Sequence, residues 1–290
     1  MSTQIFNSEN LPSVTARVSY IARSDEPARV RVYPLSSGIA TTRPQAAQHE
    51  VTIRDARSIV ASLRLDEQGF ALHSSPSKFI DFYNDSAVRE HYYPEVSNAV
   101  RALIGAMAVI VFDHNVRSAV RAARGEPGVR LPVDQVHNDY TEESGPKRKH
   151  EILDGAGRLD LADRRVAFVN LWRPIVGPVQ DNPLALCDAH SVAPDDLVTT
   201  NIHHFGEDDL TTPRHRGQIY SVRHNPQHRW FYVSDMSPDE VLLLKCYDSR
   251  TDGRARFMPH TGFQNPACPE KFTPRESIEA RTLVVFDEKA

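Results

Sequence analysis

The stretch RRVAFVNLWRPI, residues 164–175, predicts the architecture of this chain. It is a run of β-branched and aromatic residues stopped by a proline near its end, which is typical of a buried strand. Three further runs of this kind are AVIVFDHNV (108–116), VLLLKCYDS (241–249) and SIEARTLVVF (277–286). From residue 108 onward strand follows strand, with one or two short helices between them. This order predicts a mainly β fold, either an antiparallel barrel or a sandwich.

The first 107 residues combine strands with one helix. ARVSYIA (16–22) and ARVRVYPL (28–35) alternate apolar and polar residues, as strands do. HYYPEVSNAVRALIGAM (91–107) carries apolar residues at helical spacing, and Pro94 suits the first helical position. No linker composition separates this segment from the rest. We therefore expect a single domain, 1–290, in which an N-terminal strand-and-helix extension (1–107) packs on a β core (108–290).

Composition argues against several classes of protein. The chain has 290 residues and a net charge of −4, which does not fit a general nucleic-acid binder with a basic face. It has no apolar run of about 18 residues, so no membrane span is predicted. The N-terminal MSTQIFNSENLPSV lacks the basic-then-apolar pattern of a secretory signal. The three cysteines, Cys187, Cys246 and Cys268, form neither a disulfide framework nor a CxxC metal site, so a cytoplasmic protein is expected, with the first two buried.

The stretch VDQVHNDYTEESG (133–145) contains His137 and Asp139, which could be two ligands of a metal ion. With 13 histidines and 38 acidic residues among 290, a histidine followed two places later by an acid is expected by chance 13 × 38/290, or about 1.7, times. The chain contains one such pair. The pair therefore means little unless other residues complete a site.

The last strand supplies polar residues that are candidates for such a site. A period of two places Arg275, Ser277, Glu279 and Arg281 on one face, which is either exposed or lines a polar interior, and the terminal position of the strand favours an exposed edge. His260 precedes this strand. With His137-x-Asp139 it would make two imidazoles and one carboxylate, the facial triad of non-haem Fe(II) sites. An arginine and a serine beside it would bind the distal carboxylate of a 2-oxo acid.

This order of motifs resembles the Fe(II)/2-oxoglutarate-dependent oxygenases. The similarity is to the fungal and bacterial secondary-metabolism group, which includes the cephamycin methoxylation component, gibberellin desaturase-like proteins and an endoperoxide-forming meroterpenoid oxygenase. It covers residues from about 90 to 283. The stretches that carry it are YYPEV, VHNDYT, VNLWRPIVGPVQDNPLALCD, HRWFYVSDMSPDEVLLLKCYDS and PHTGF followed by RESIEAR.

The resemblance implies a double-stranded β-helix core of the jelly-roll or cupin-like kind with flanking helices, and Fe(II), 2-oxoglutarate and O₂ as cofactor and co-substrates. It implies His137, Asp139 and His260 as catalytic metal ligands. It also implies that Arg275 and Ser277 bind the distal carboxylate of 2-oxoglutarate. Arg281 competes with Arg275 for that role, because the two share a face. One further pair, Asn170 and Trp172, is expected near the co-substrate or the substrate.

Several other polar residues have a structural interpretation beside a functional one. His203 and His204 look like a metal pair, but adjacent residues of a strand point to opposite faces. A polar pocket loop over TTNIHHFGEDDLTTP (199–213) is a better interpretation of that stretch. His224 and His228 flank the turn NPQ, although His224 is an alternative distal metal ligand. Tyr140 either lines the pocket or belongs to the core.

The sequence therefore predicts an oxygenase that acts on a small secondary metabolite. By analogy with the family, the substrate is an apolar polycyclic terpenoid or meroterpenoid. The outcome is hydroxylation, desaturation, rearrangement or endoperoxide formation. A non-catalytic partner subunit of a biosynthetic complex is one alternative, and a zinc hydrolase with the same ligands is another. A homodimer is also expected.

Overall fold

The structure is a computed structural model that describes residues 10–289. Most of the stretch used to predict that no secretory signal is present lies outside the described residues. The strands are β1 (Ser13–Ile21), β2 (Arg29–Val32), β3 (Ala46–Asp55), β4 (Phe70–Ser74), β5 (Ala108–Ser118), β6 (Val129–Arg130), β7 (His137–Asn138), β8 (Arg164–Pro174), β9 (Leu184–Cys187), β10 (Leu197–Phe205), β11 (Pro213–Val222), β12 (Trp230–Tyr232), β13 (Glu240–Asp248), β14 (His260–Gly262) and β15 (Glu276–Lys289). The α-helices are α1 (Asp85–Ala87), α2 (Tyr93–Ile104), α3 (Ala119–Ala123) and α4 (Ser144–Gly155).

Two mostly antiparallel sheets form the body of the protein. The larger has the order β1-β3-β12-β9-β14-β7-β11-β10-β2, and the smaller has the order β4-β13-β8-β15-β5-β6. The predicted mainly β architecture is therefore confirmed. Strands β1 to β3 extend the larger sheet and β4 the smaller one, so residues before 107 share both sheets with those after it. The division at residue 107 stays a prediction.

Strand β8 shows why its sequence is continuously apolar. Phe168 and Trp172 face the core between the two sheets, whereas Val169 and Leu171 face a second core beneath α2. Both faces of β8 are buried because the smaller sheet is covered on both sides. Asn170 lies on the same face as Trp172 by the period of two, so one amide points into the space between the sheets.

Strand β15 is central rather than an edge. It lies between β8 and β5 and pairs with both. The prediction of an exposed edge strand, which its terminal position in the sequence favoured, is therefore wrong. Ile278 and Ala280 pack beneath α2, while Leu283 and Val285 join the core between the sheets. The face of Ser277, Glu279 and Arg281 is accordingly directed into the interior.

The helix predicted over 91–107 is present as α2, and a π-helical turn over Val88–Tyr92 precedes it. Pro94 lies in its first turn, and Gly105 ends it with a left-handed φ of 66°, a conformation that glycine adopts without strain. The prediction of a loop over 199–213 is largely wrong. Its first seven residues belong to β10, because the backbone of this strand pairs with β11 on one side and with β2 on the other.

Candidate metal centre

Three side chains that can bind a metal lie together in the larger sheet. Strand β7 pairs with β14 so that His137 is directly opposite His260. Asp139 follows two residues after His137, and an extended backbone places these two side chains on one face. One ligand atom from each of the three lies within 4.8 Å of the others. Among residues 10–289 they form the one group of three or more His, Cys, Asp or Glu side chains with this geometry.

Both imidazoles are held in the tautomer that a metal needs. Nδ1 of His137 lies 2.9 Å from the carbonyl oxygen of Gln135, and Nδ1 of His260 lies 3.2 Å from that of Met258. A carbonyl oxygen only accepts, so each Nδ1 carries the proton and each Nε2 keeps a free lone pair. This hydrogen bond to a backbone carbonyl is the usual outer contact of a metal-binding histidine.

The carboxylate of Asp139 is oriented by an amide on the opposite sheet. Asn170 donates from Nδ2 to Oδ2 of Asp139 over 2.8 Å and to Oε1 of Glu279 over 3.2 Å. The other oxygen, Oδ1, lies 3.7 Å from Nε2 of His137. One carboxylate oxygen is thus engaged by the protein, and the other faces the imidazoles.

Burial and charge keep His137 and Asp139 in their metal-binding ionisation states. Burial, with the neighbouring His260, lowers the pKa of His137 to about 4. Burial alone would raise the pKa of Asp139, but His137 and Arg281 outweigh it and hold that pKa below its usual value. At neutral pH His137 is therefore a neutral imidazole and Asp139 an ionised carboxylate. Two nitrogen donors and one carboxylate, with no sulfur, fit Fe(II).

A cavity of about 110 Å³ lies beside these three residues and is lined by arginines. They are Arg117, Arg130, Arg275 and Arg281, and Glu279 is the remaining carboxylate in the wall apart from Asp139. Such a cavity favours a bound anion, because unneutralised guanidinium groups attract carboxylates.

Arg275 is the most deeply buried of these arginines, with 4% of its surface exposed. Its Nε donates to Ser277 Oγ over 3.2 Å, and its Nη1 donates to the backbone and side-chain oxygens of Asn182. The guanidinium lies 5.1 Å from the ring centre of Trp172. Its Nη2 makes no hydrogen bond within the described part of the chain. Burial and the nearby Arg117 lower the pKa of Arg275 to about 10, which leaves it charged at neutral pH.

Arg281 lies in a different environment. Its Nη2 donates to Asp113, and its Nε is buried without a partner among residues 10–289. Burial would lower its pKa, but the charges of Asp139 and Asp113 raise it above the ordinary value. Arg281 therefore neutralises Asp139 and Asp113, whereas Arg275 keeps a donor directed at the cavity.

The two other residues of the predicted site lie one layer behind the cavity. Asn170 contacts Asp139, as described above, and Trp172 lies beneath the guanidinium of Arg275. Both are essentially inaccessible to solvent. Tyr140 is buried as well, and its ring stacks on Phe168 at 4.0 Å.

Sequence reasoning missed residues on β5 that contribute to the cavity. Asn115 and Arg117 line it, and Arg117 pairs in register with Ser277. The available signal was a period of two in AVIVFDHNVRS, where Asp113, Asn115 and Arg117 occupy alternate positions and are separated by His114 and Val116. Polar residues at alternate positions of a buried strand indicate a polar interior.

The remaining histidines lie elsewhere. His203 is in register with Arg216, and His204 with His215, so this adjacent pair faces opposite sides of its strand, as predicted. His224 stacks on His49 at 3.9 Å and is not part of the metal-binding group. His228 is buried, with Nε2 3.1 Å from Asp196. Cys187 and Cys246 are buried, as expected.

The chain matches a family model described as "Oxidoreductase/YMDC permease-like domain" over residues 18–285. It is 32% identical over 270 residues to the hydroxylase/desaturase efuI of Hormonema carpetanum, covering 87% of this chain and 88% of that protein. It is 30% identical over 242 residues to the Fe(II)/2-oxoglutarate-dependent dioxygenase nvfI of Aspergillus novofumigatus, covering 81% and 83%. The chain belongs to the Fe(II)/2-oxoglutarate-dependent dioxygenases.

The fold of this dioxygenase agrees with its sequence relatives. A solved structure of the iron and alpha-ketoglutarate-dependent endoperoxidase NvfI superposes with a TM-score of 0.79 at 27% identity, covering 94% of this chain and 98% of that one. The predicted double-stranded β-helix core is thereby confirmed, as is the predicted group of secondary-metabolism oxygenases. Membership implies Fe(II), 2-oxoglutarate and O₂. A small-molecule substrate fits such an enzyme. Among the described residues, none of the helices has the length and the apolar character that a membrane span requires.

Proposed function

We propose that the dioxygenase holds Fe(II) with His137, Asp139 and His260 and binds the distal carboxylate of 2-oxoglutarate with Arg275 and Ser277. The observation that carries this proposal is the pair of tautomer-fixed imidazoles, which meet an ionised carboxylate at the wall of an arginine-lined cavity. When bound, Fe(II) with 2-oxoglutarate and O₂ supplies an oxidation of the substrate that is coupled to decarboxylation of 2-oxoglutarate to succinate and CO₂.

The protein's own residues orient the metal ligands and neutralise the charge of the bound carboxylate. The carbonyls of Gln135 and Met258 hold the Nδ1 protons, so both Nε2 atoms face the metal position. Asn170 engages one oxygen of Asp139 and leaves the other for the metal. Arg275 is held by Ser277 and Asn182 and can donate from its free Nη2 to a carboxylate, to which Ser277 can add its hydroxyl.

The proposed substrate is a secondary metabolite with an apolar polycyclic body, such as a terpenoid or meroterpenoid. Relatives are named as hydroxylase/desaturase and as endoperoxidase, which supports hydroxylation, desaturation, rearrangement or endoperoxide formation as the outcome. The choice among these depends on how the substrate lies against the cavity walls.

The metal assignment is tested with Fe(II) and 2-oxoglutarate added under anaerobic conditions. The wild type should develop a weak visible charge-transfer band. His137→Ala should lose it, whereas His91→Ala, which changes an exposed histidine on the π-helical turn, should keep it. Absence of the band in the folded wild type would contradict the assignment.

Two alternatives from the sequence are weaker. The named relatives are enzymes, which favours catalysis over a non-catalytic partner subunit. Iron-dependent succinate formation by the isolated protein would exclude that alternative. A zinc hydrolase would leave the paired Arg275 and Ser277 without a role.

We further propose a cytoplasmic location and no nucleic-acid partner, on the basis of the cysteine usage and the net charge of −4. A homodimer stays a prediction. Light scattering of the purified protein measures its mass directly, and a value of one chain would contradict the dimer.

A further inference from the structure

A second, larger cavity adjoins the candidate metal centre. Its volume is about 340 Å³, and it shares Arg130, Asp139 and Arg281 with the smaller cavity. Its walls come from β5, the first half of α4 and the hairpin of β10 and β11. A molecule in this cleft would lie beside the three metal-binding side chains.

One part of the cleft is apolar. Phe112, Tyr140, Ile202 and Ile219 line it. Gly217 lies among them on β11, in register with Ile202, and a Cβ added there would meet no heavy atom within 4 Å. This glycine therefore leaves open the space into which any side chain at position 217 would project.

The charged part of the cleft is unbalanced. Its acidic residues are already engaged: Glu151 pairs with Arg148 at 3.0 Å, Asp113 pairs with Arg281, and Asp139 belongs to the metal-binding group.

Arg130 and Lys147 both line the cleft. Among residues 10–289, neither has a carboxylate within 4.0 Å. Arg216 also borders it but shares a strand face with His203, whereas His204 and His215 share the face toward the cleft. Burial, His215 and Arg130 lower the pKa of His204.

We propose that this cleft binds the substrate and that the substrate carries a carboxylate, held by Arg130 and Lys147, on an apolar body that packs against Phe112, Ile202 and Ile219. This inference rests on the proposed metal centre, because the cleft gains its meaning from the adjacent triad. The two cations without counter-ions match the carboxylate of an amphipathic acid, and the apolar wall matches its apolar body. Lys147 distinguishes substrate binding from co-substrate binding, because it lines the larger cavity and not the smaller one.

The test compares apolar carboxylic acids with their methyl esters by calorimetry. The probes are abietic, lithocholic and decanoic acid, titrated into protein held anaerobically with Fe(II) and 2-oxoglutarate. At least one acid should bind about tenfold more tightly than its ester, a difference of about 1.4 kcal/mol. Lys147→Gln and Arg130→Gln should each weaken acid binding several-fold, and the double variant should abolish the preference. Lys78→Gln and Arg124→Gln, which change exposed cations outside the cleft, should not alter it.

Gly217→Leu tests the location. It should abolish binding of acid and ester alike while the charge-transfer band of Fe(II) and 2-oxoglutarate is kept. The proposal is overturned if no acid exceeds its ester, if the preference survives in the double variant, or if Gly217→Leu binds the probes normally. Failure of the metal assignment is distinguishable, because the wild type would then lack the band while metal-free protein still showed the acid preference.

Discussion

Asn170 on the smaller sheet donates a hydrogen bond to Asp139, which directly follows β7 of the larger sheet, over 2.8 Å. This bond crosses the space between the sheets and fixes which carboxylate oxygen is free. Oxygen Oδ1 of Asp139 is left facing His137, and a buried carboxylate held in this way needs little reorganisation when a cation binds. The contact joins the two halves of the fold at the metal site.

Asn170→Leu should weaken Fe(II) binding about 10- to 100-fold, because outer contacts of a ligand have effects of this size. The substitution keeps the number and branching of the side-chain heavy atoms and removes the donor to Asp139. Anaerobic Fe(II) titration measures the change. Asn201→Leu is the matched control, since Asn201 accepts one bond from Gln218 and touches no metal-binding residue. Unaltered Fe(II) affinity in Asn170→Leu would contradict the orienting role.

Asn138→Leu should lower the free energy of unfolding by about 3 kcal/mol or more. The fully buried Asn138 donates to the carbonyls of Tyr140 and Cys246 and accepts from the amide of Met258, and each buried backbone group left unpaired costs about 1–3 kcal/mol. Urea unfolding of the metal-free protein measures this loss. A change as small as that of Asn201→Leu would show that these three bonds do not stabilise the fold.

Arg275→Gln should raise the apparent KM for 2-oxoglutarate about tenfold or more, because a charge-assisted contact to a carboxylate contributes about 1.5–3 kcal/mol. Arg275→Lys should recover little, since an ammonium lacks the planar fork. Arg281→Gln should leave this KM nearly unchanged, because Arg281 is already paired with Asp113 and neutralises Asp139. If Arg281→Gln alone raised the KM, the two roles would be exchanged.

Asp248 should make stability fall in acid. Asp248 is fully buried beside Arg165 and Lys245. Burial alone would raise its pKa, but the hydrogen bond from Arg165 and the charge of Lys245 outweigh burial and lower the pKa from its ordinary value. A depressed folded pKa adds stability that is fully present above the unfolded pKa of about 4 and is lost as the pH falls through the folded pKa. Asp248→Asn should cost about 3–5 kcal/mol at pH 7, because two cations lose their buried partner.

Urea unfolding at pH 7 and at steps down to pH 3 measures both effects. The wild type should lose more stability over that interval than Asp248→Asn does. Parallel loss in the two proteins would assign the acid sensitivity to other carboxyl groups.

Local patterns were enough to predict the strands and to select candidate metal ligands. Runs of alternating or continuously apolar residues identified β8, β13 and β15, and His260, which precedes the last strand, completed the candidate set with His137 and Asp139. The position of β15 was harder, because sequence periodicity reports which residues share a face but not which strands flank them. Its pairing with β5 and β8 depends on contacts far apart in the chain.

The cavity wall was predicted only in part for the same reason. Arg117 and Ser277 are 160 positions apart in the sequence yet lie opposite each other in the sheet. The bond from Asn170 to Asp139 likewise depends on how the two sheets face each other. Such relations follow from tertiary packing, which a local pattern does not contain.

The brevity of β7 has a consequence for how the enzyme matures. This strand contributes two residues to its sheet, so a slip by one position along β14 would bring Asn138 opposite His260 and turn His137 away. The three bonds of Asn138 form only in the native pairing. Asn138, which lies between His137 and Asp139, therefore stabilises the one alignment of β7 that brings these two side chains to His260, and it does so before any metal binds. A chain that folded with this strand misaligned would lack the candidate metal centre altogether.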